Sequence, residues 1–511
     1  MNRLAPFARQ IAVALLVLLV VLPLAALASP PVYVVLWFDT EDYLLPASDD
    51  AALHIANFLT DLHIRGTFKV VGEKARTLER RGRTDVIEAL KKHDIGYHSN
   101  FHSVHPTPAE YLNAYGWDDG VAEFDRRERP GFDDVKRIFG RAPSCYGQPG
   151  SSWASQTLGG MQRWGMKVYL DAGKHVAVNG KPFYYCGLLN IYQIANMPRT
   201  SLKDPTDLEE TENKFAAARQ QLQAEGGGLV SIIYHPCEFA HKEFWDGVNF
   251  RNGANPPRAQ WKIPPAKTPE ETRVAFESFE SYIRYLRHFD DVQFITATDA
   301  VRLYDDAARG RSFTIDDIKT MAAAVGEEPS FFEQPEYTLS AAEVLSILTQ
   351  YVSGAASAAT PVKIAYPGSP LGPSSPAVSL ADPVSVSSEQ FLRTAKDLAK
   401  AVVTEGRVPP AVWFGSQAVP PESYLRTLGK VAGRLARGEA LPDTIEFQPT
   451  KLAAAKYVAD DALGLWKWVI FPANFHAPHV MEVAKREAWS LKPALLSKTF
   501  SATAKPAPAQ Q

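Results

Sequence analysis

Cysteine is scarce in this chain: Cys145, Cys186 and Cys237 are the only three in 511 residues. Three thiols cannot build a disulfide scaffold, although an oxidising compartment would permit one bridge with one thiol left over. No two of them form a CxxC pair, which argues against a structural zinc site. Stability therefore has to come from an apolar core. Net charge is also missing, because 54 basic residues stand against 57 acidic ones. With no global field to hold nucleic acid or an anionic membrane, a neutral partner such as a sugar fits better. Beyond residue 28 no apolar run approaches the ~20 residues needed to cross a bilayer.

The N-terminus is the exception. Arg3 and Arg9 precede an apolar run from Ile11 to Leu22, and Ala26-Leu27-Ala28 follows just before Ser29. That pattern predicts a secretory signal peptide over residues 1–28, cleaved after Ala28, with the rest of the chain secreted, periplasmic or on the cell surface and no stable membrane insertion after cleavage. The alternative is an uncleaved anchor, for which the run from Ile11 to Ala28 is barely long enough.

After it, Val32 to Phe38 is a continuous apolar, β-rich run ending abruptly in acids, as expected of a strand buried on both faces. An amphipathic segment from Ala51 to Leu62, a strand from Gly66 to Val71 and a helix from Arg83 to Lys92 continue a βαβ rhythm. Further strand-like runs fall at Lys167 to Leu170, Leu229 to Tyr234 and Val292 to Thr296, with helices expected at Leu208 to Ala224 and Pro269 to His288. Alternation of this kind predicts an α/β fold with a mainly parallel sheet, closed or nearly closed into a distorted (β/α) barrel, over residues 30–306. From 312 to 500 the pattern turns to mostly helical Ala- and Ser-rich stretches, divided by a Pro, Gly and Ser cluster from Ala365 to Ala377. This region holds a faint repeat: Phe391-Leu392-Arg393-Thr394 and Tyr424-Leu425-Arg426-Thr427 lie 33 residues apart, with Ala399 and Ala432, then Pro409 and Pro442, in the same register. The copies span 391–412 and 424–445. The tail, 501–511, reads as disordered.

Three groups of residues carry chemistry. His98 and His102 are four apart, so one helical turn or a tight loop aims both imidazoles the same way, and they follow a short β-like Ile95-Gly96-Tyr97 at the edge where parallel α/β folds build their sites. Asp39-Thr40-Glu41-Asp42 closes the first buried strand with carboxylates whose charge a cation would relieve. Residues i and i+2 leave a strand on one face, so Asp39 and Glu41 can point together. Two imidazoles and one carboxylate give a divalent metal three protein ligands and an open position for water, the arrangement of a catalytic rather than a structural zinc. The other carboxylate can then act as general base. Last, Ile232-Ile233-Tyr234 ends in His235, a candidate general acid, and the Gly- and Pro-rich loop from Tyr146 to Trp153 can wall a sugar site.

At these residues the chain resembles the polysaccharide deacetylases, carbohydrate esterase family four. The family's acidic pair looks like Asp39 with Glu41 or Asp42, and its His-Ser/Thr-x-x-His matches His98, Ser99 and His102. Its groove loop resembles the stretch with Tyr146, Gln148, Pro149 and Trp153; Asp171 occupies the place of its fourth-motif aspartate, and His235 that of its last histidine. The resemblance covers residues 31–300. It implies one divalent metal, zinc first among the choices, held by His98, His102 and Glu41 or Asp42 with Glu41 favoured. It further implies Asp39 as base, His235 as the acid that protonates the leaving group from the opposite side, and hydrolysis of acetyl groups on a polysaccharide or cell-wall glycan. Two departures stand out: the acidic pair has spread to Asp-x-Glu-Asp, and Gln148 replaces the arginine that normally orients the base by charge. The C-terminal repeat resembles the pseudomurein-binding repeats, which implies a glycan-binding module. Two other functions fit the same residues: a metal-dependent hydrolase of another amide, and a degenerate domain that grips a glycan without turning it over.

Overall fold

The computed structural model describes residues 29–356 and 363–497. The expected signal peptide and tail lie outside the described residues. The fold is mixed α/β, with a ten-stranded sheet curled into a partly closed barrel and a helix-rich C-terminal region. Its strands are β1 (Val32–Thr40), β2 (Thr67–Val70), β3 (Asp94–Tyr97), β4 (Cys145–Tyr146), β5 (Val168–Leu170), β6 (Phe183–Tyr185), β7 (Leu188–Ile191), β8 (Gly228–Tyr234), β9 (Val292–Ile295) and a short C-terminal strand, Lys492–Pro493. Among the described residues no helix is long and apolar enough to cross a membrane.

β1 is the organising strand. It pairs in parallel with β8 along Val32 to Phe38; on the other edge β9 pairs with Val32 to Val35 and β2 with Trp37 to Thr40. From β2 the order continues β3, β4, β5, β7, β6 and the C-terminal strand, the last two pairings being antiparallel. The sheet curls until Ser231 in β8 donates its N–H to the Asn196 carbonyl at 3.0 Å, so β8 meets the segment that follows β7. All nine residues of β1 are buried, and their alternation divides them between two cores. Val32, Val34, Leu36 and Phe38 join a cluster shared with the flanking helices, while Tyr33, Val35 and Trp37 meet Val168, Leu170, Ile191 and Leu229 of other strands. Each such side chain contributes about 1.5–3 kcal/mol on burial. The Trp37 indole N–H also donates to Ser231 Oγ at 2.9 Å inside this second core.

Several helices fall where the sequence places them: Leu208–Ala224, and Pro269–Arg287, whose N-terminus is closed by a capping box between Thr268 and Glu271. The first helix starts earlier than its apolar periodicity suggests, at Pro46, because proline suits the first turn. Among the helices the sequence pattern did not place, Gly72–Arg80 and Trp117–Phe139 pack against the loop of His98 and His102.

In the C-terminal region the repeat is a structural one. Each copy is a helix (Ser388–Glu405 and Pro421–Ala436) followed after its proline turn by a short strand (Val412–Phe414 and Thr444–Phe447). The equivalent aromatics Phe391 and Tyr424, and Phe414 and Phe447, are buried against one another, with ring centroids 5.5 Å apart in the first pair and 4.9 Å in the second. These rings form a core and present no stacking face to a sugar. The three cysteines are free and buried.

The chain's end returns to the barrel. Lys492 pairs with Tyr184 of β6, and its buried ammonium reaches Asp306 at 2.7 Å and Glu343 at 3.0 Å, joining the last barrel turn to the helix Ala341–Ala356. Removing the cation leaves buried Glu343 without a positive partner and Asp306 with only Arg309, at 3.6 Å. Lys492→Met is therefore expected to destabilise the protein by about 3–5 kcal/mol in urea denaturation. A loss within the ~0–1 kcal/mol of an exposed pair would contradict the structural role assigned to it.

Candidate metal centre

Every candidate group sits at the C-terminal edge of the parallel strands. β1 ends in Asp39 and leads to Glu41; β3 leads to His98; β4 leads to Gly147 and Gln148; β5 leads to Asp171; β8 leads to His235. Asp39, Glu41, His98, His102, Gln148, Asp171 and His235 line one cavity of about 580 Å³.

Glu41, His98 and His102 converge. Glu41 Oε2 lies 2.8 Å from His102 Nε2 and 3.8 Å from His98 Nε2, all three side chains are buried, and their ligand atoms lie close enough together to hold one ion. Glu41 Oε1 is buried with no hydrogen-bond partner. The far ring nitrogens are engaged, His98 Nδ1 with the Gly147 carbonyl at 3.0 Å and His102 Nδ1 with Ser103 Oγ at 2.6 Å, which frees both Nε2 atoms for a ligand role. The donor set and the orphaned oxygen fit a divalent cation. Residues 98–102 form a tight loop and not a helical turn. Ser99 and His102 adopt φ of 65° and 56°, a conformation costly for residues other than glycine and held here by surrounding bonds. The Gly72 and Glu73 N–H groups donate to the Ser99 and Asn100 carbonyls at 2.9 Å, Ser99 Oγ accepts the His102 N–H at 3.1 Å, and further bonds come from the helix Trp117–Phe139. Pro130 lacks an N–H, and near that break the Arg127 and Glu128 carbonyls accept from Asn100 Nδ2 (3.2 Å) and Tyr97 OH (2.9 Å). Glu128 Oε2 takes the Asn100 N–H at 2.7 Å, and burial pushes its carboxyl up to about 7.

Asp42 does not join this group. Its carboxylate turns the other way, with Oδ1 accepting the Leu44 N–H at 2.7 Å and Oδ2 3.3 Å from His241 Nδ1. Asp42 lies beyond the end of β1, and its carboxylate is engaged by the turn that follows it and by His241.

Asp39 lies beside the triad, between a lysine and two histidines. Its Oδ1 is 2.9 Å from Lys69 Nζ and 3.6 Å from His98 Nδ1, and its Oδ2 is 3.7 Å from His235 Nε2. Burial alone would raise its pKa; the charges of His98, Lys69 and His235 outweigh that and hold it below the ordinary carboxylate value. His235 is thus beside Asp39 and not across the site from it. Burial works against its charge too, but Glu238, at 3.1 Å from Nδ1, with Glu41 and Asp39, lifts it to about 9. His98 is depressed by burial towards the neutral imidazole a metal needs, whereas the pull of Glu41 overcomes burial and raises His102. A bound cation would take the place of that proton.

The charge that Gln148 lacks comes from Lys69. Its ammonium bridges Asp39 Oδ1 and Asp171 Oδ2, the latter at 2.5 Å, and lies 4.2 Å over the Trp37 ring. Lys69 is the β2 partner of Asp39 in the parallel register. Asp39, His98 and Asp171 also cluster as metal ligands would, but the lysine already supplies a cation there. Burial pushes Asp171 up, against the pull of Lys69. Gln148 instead staples its loop, donating to the Gly150 and Ala172 carbonyls and accepting from Tyr169.

Of the expected sugar contacts, Gln148 and Asp171 line the cavity. Tyr146 and Trp153 are core residues, the first among the rings of Tyr97, Phe124 and Tyr169, the second stacked on His175, because the hydrophobic effect favours enclosing such rings. Pro149 is not among the lining residues. Sequence reasoning missed Lys69, whose signal is a lone lysine inside the apolar run Gly66 to Val71. It also missed Trp468, which comes from the C-terminal region. Its indole N–H donates to buried Asp246 Oδ2 at 2.7 Å, and its ring meets that of His102 edge-on at 5.3 Å. Gly150, at φ of 51°, lies under it, where a Cβ would sit 2.2 Å from the indole.

Lys69→Met should raise the pKa of Asp39, so the acid limb of any pH–rate profile moves to higher pH and turnover falls, while metal content stays stoichiometric. Lys69→Arg, which keeps the charge, should recover part of the rate. An unmoved acid limb in the methionine variant would remove Lys69 from the machinery.

No protein-family model matches this chain, and no curated protein matches it. Solved structures do. The chain is similar to peptidoglycan deacetylase PdaC from Bacillus subtilis at 15% identity, over 53% of this chain and 90% of that one, with a TM-score of 0.26. It is similar to Puue allantoinase at 13%, over 54% and 91%, TM-score 0.33. A third is a CE4 family pseudoenzyme from Bacillus anthracis, at 11%, over 52% and 65%, TM-score 0.27. What this site does follows from its own geometry.

Proposed function

We propose that this chain is an exported, metal-dependent deacetylase that removes acetyl groups from a polysaccharide. The observation that carries the reading is the juxtaposition of three unlike groups within one cavity: a buried Glu41–His98–His102 triad, a carboxylate held ionised, and a histidine held protonated. Groups whose pKa values are driven apart in this way are the signature of paired base and acid. Export rests on the basic and apolar pattern of residues 1–28.

Glu41, His98 and His102 would hold the ion, zinc first among the choices. A divalent ion there supplies Lewis acidity towards the acetyl carbonyl and makes a water more acidic. Asp39, kept ionised by Lys69, takes the proton of the water that adds to the carbonyl carbon. His235, oriented by Glu238, gives its proton to the departing amine nitrogen, or to the alkoxide of an ester, as the bond to the acyl carbon breaks. The products are acetate and the free amine or hydroxyl, and the Asp39 proton and the vacant His235 exchange with solvent to restore the start. The gap of 3.7 Å between the two groups is too long for a hydrogen bond, so each keeps its own proton state.

His98→Ala or His102→Ala should lose metal and activity together, with elemental analysis and acetate release as the readouts, because only three protein ligands exist. A variant that keeps stoichiometric metal and turnover places the site elsewhere. Bound metal in the native chain with no acetate released from a panel of acetylated glycans would favour hydrolysis of another amide.

His235→Gln should leave metal in place, lower turnover and flatten the alkaline limb. The sign follows from linkage. With a folded pKa of about 9 against an ordinary 6.5, His235 is protonated through neutral pH, and the proton is lost only as pH rises through 9. An alkaline limb that persists near pH 9 in the glutamine variant would end the general-acid assignment.

A further inference from the structure

Beside the metal-centre cavity lies another of about 450 Å³, and Lys203, Lys242, Glu243 and Phe244 form a rim common to both. The two differ in charge. The first is lined by Asp39, Glu41, Asp171, Glu243 and Asp246 against Lys203, Lys242 and Arg251, with the three histidines of the site. The second carries Arg199, Lys203, Lys242 and Lys267 against Asp207, Glu238 and Glu243.

The pairings decide which of these charges are available. Glu238 is occupied by Arg199 at 3.0 Å and by His235 at 3.1 Å, and Asp207 accepts the Ser201 N–H at 2.6 Å. Lys242 reaches outwards to Glu271 at 2.8 Å. Among the described residues Lys203 and Lys267 have no carboxylate at ion-pairing distance and exposed Glu243, on the shared rim, has no cation, so two ammoniums stand against one free carboxylate; Lys267 Nζ donates to the Leu202 carbonyl at 2.9 Å. Lys267 is half-buried. Burial, with the nearby Lys203 adding to it, depresses its pKa even against the pull of Glu238. Two ammonium groups that disfavour one another on a cavity wall are relieved by an anion placed between them. In the first cavity an anionic group would meet five carboxylates against Lys203, Lys242 and Arg251, whereas in the second it would meet three against four cationic side chains.

We propose that this second cavity is a subsite for an anionic substituent, a carboxylate or a sulfate ester, on the sugar next to the one whose acetyl group enters the metal centre. The substrate class is then an acidic acetylated glycan. The inference rests on the deacetylase reading for the neighbouring acetyl group, but the binding it requires does not depend on turnover. Lysine ammoniums are point charges without the planar fork of arginine, so they favour negative charge without selecting between carboxylate and sulfate geometry.

Calorimetric titration of the full chain with three unacetylated hexasaccharides tests this: hexagalacturonate, a hexagalactose carrying sulfate esters, and neutral cellohexaose. At least one charged chain should bind roughly fivefold or more tighter than cellohexaose, as expected of two or three part-exposed charge contacts, and the preference should fall as salt is added. In Lys203→Gln/Lys267→Gln the ratio of charged to neutral affinity should fall to about unity, whereas Lys267→Arg should keep it. Equal binding of charged and neutral chains, or a double glutamine variant that retains the preference, overturns the proposal. Since no acetyl group is present, failure of the deacetylase reading would leave these ratios as they are. Acetate release without any charge preference would sink the subsite alone.

Discussion

The site depends on a buried positive charge placed between two buried carboxylates. Taking Asp39 and Asp171 out of water costs several kcal/mol for each ion, and like charges so close add to the cost. Lys69 makes the arrangement possible, contacting both and sitting over Trp37 with no exposure of its own. Because Lys69 is the cross-strand partner of Asp39, its position is set by the parallel register of β1 and β2. A slip of one residue would send the ammonium to the opposite face of the sheet and leave both carboxylates unpaired. Gly147 shows how closely the group is packed: a Cβ there would stand 2.1 Å from Lys69 Nζ and 2.2 Å from Asp171 Oδ2.

The same alternation that packs β1 selects its chemistry. Trp37 and Asp39 leave the strand on one face, so the interior core passes directly into the base, and Glu41 continues along that face towards the histidines. Asp42, one residue on, is turned to His241. The metal loop is ordered from behind, by donors reaching a helix whose hydrogen-bond ladder is opened by Pro130.

What the sequence shows follows from this division. Features encoded within a few residues were legible: the buried run of β1, the histidine spacing, the strand ending at His235, and helices such as Leu208–Ala224 with regular periodicity. Glu41 could be preferred over Asp42 but not separated from it, because both follow the strand's last regular residue. Lys69 was hidden by distance along the chain, since its meaning lies in pairing with a residue 30 positions earlier. The helix Trp117–Phe139 was hidden by Pro130-Gly131, which reads as a break; in the fold Gly131 is where the backbone comes closest to the histidine loop, its Cβ position 2.9 Å from Asn100 Cα. Tyr146 and Trp153 were assigned to the groove on composition and on the likeness of their loop to the family's groove loop, and aromatic rings in a Gly- and Pro-rich stretch serve a core as readily as a sugar.

Trp468 lies furthest from anything local composition could indicate, and it bears on what the C-terminal region does. A detached module would meet the barrel through a polar, separable surface. Here the contact reaches the reactive cavity itself. The Trp468 indole bonds Asp246 and covers Gly150, and the adjoining Val469 and Ile470 carbonyls accept the N–H groups of Asn252 and Gly253 at 3.1 and 2.6 Å. At the other end, Cys186 donates its N–H to Ser490 Oγ at 2.8 Å and Lys492 extends the sheet. The repeat aromatics, meanwhile, are spent on one another. The C-terminal region therefore acts on the barrel through its connecting segments, closing one wall of the cavity and one edge of the sheet, while its repeated helices supply the core that holds those segments in place.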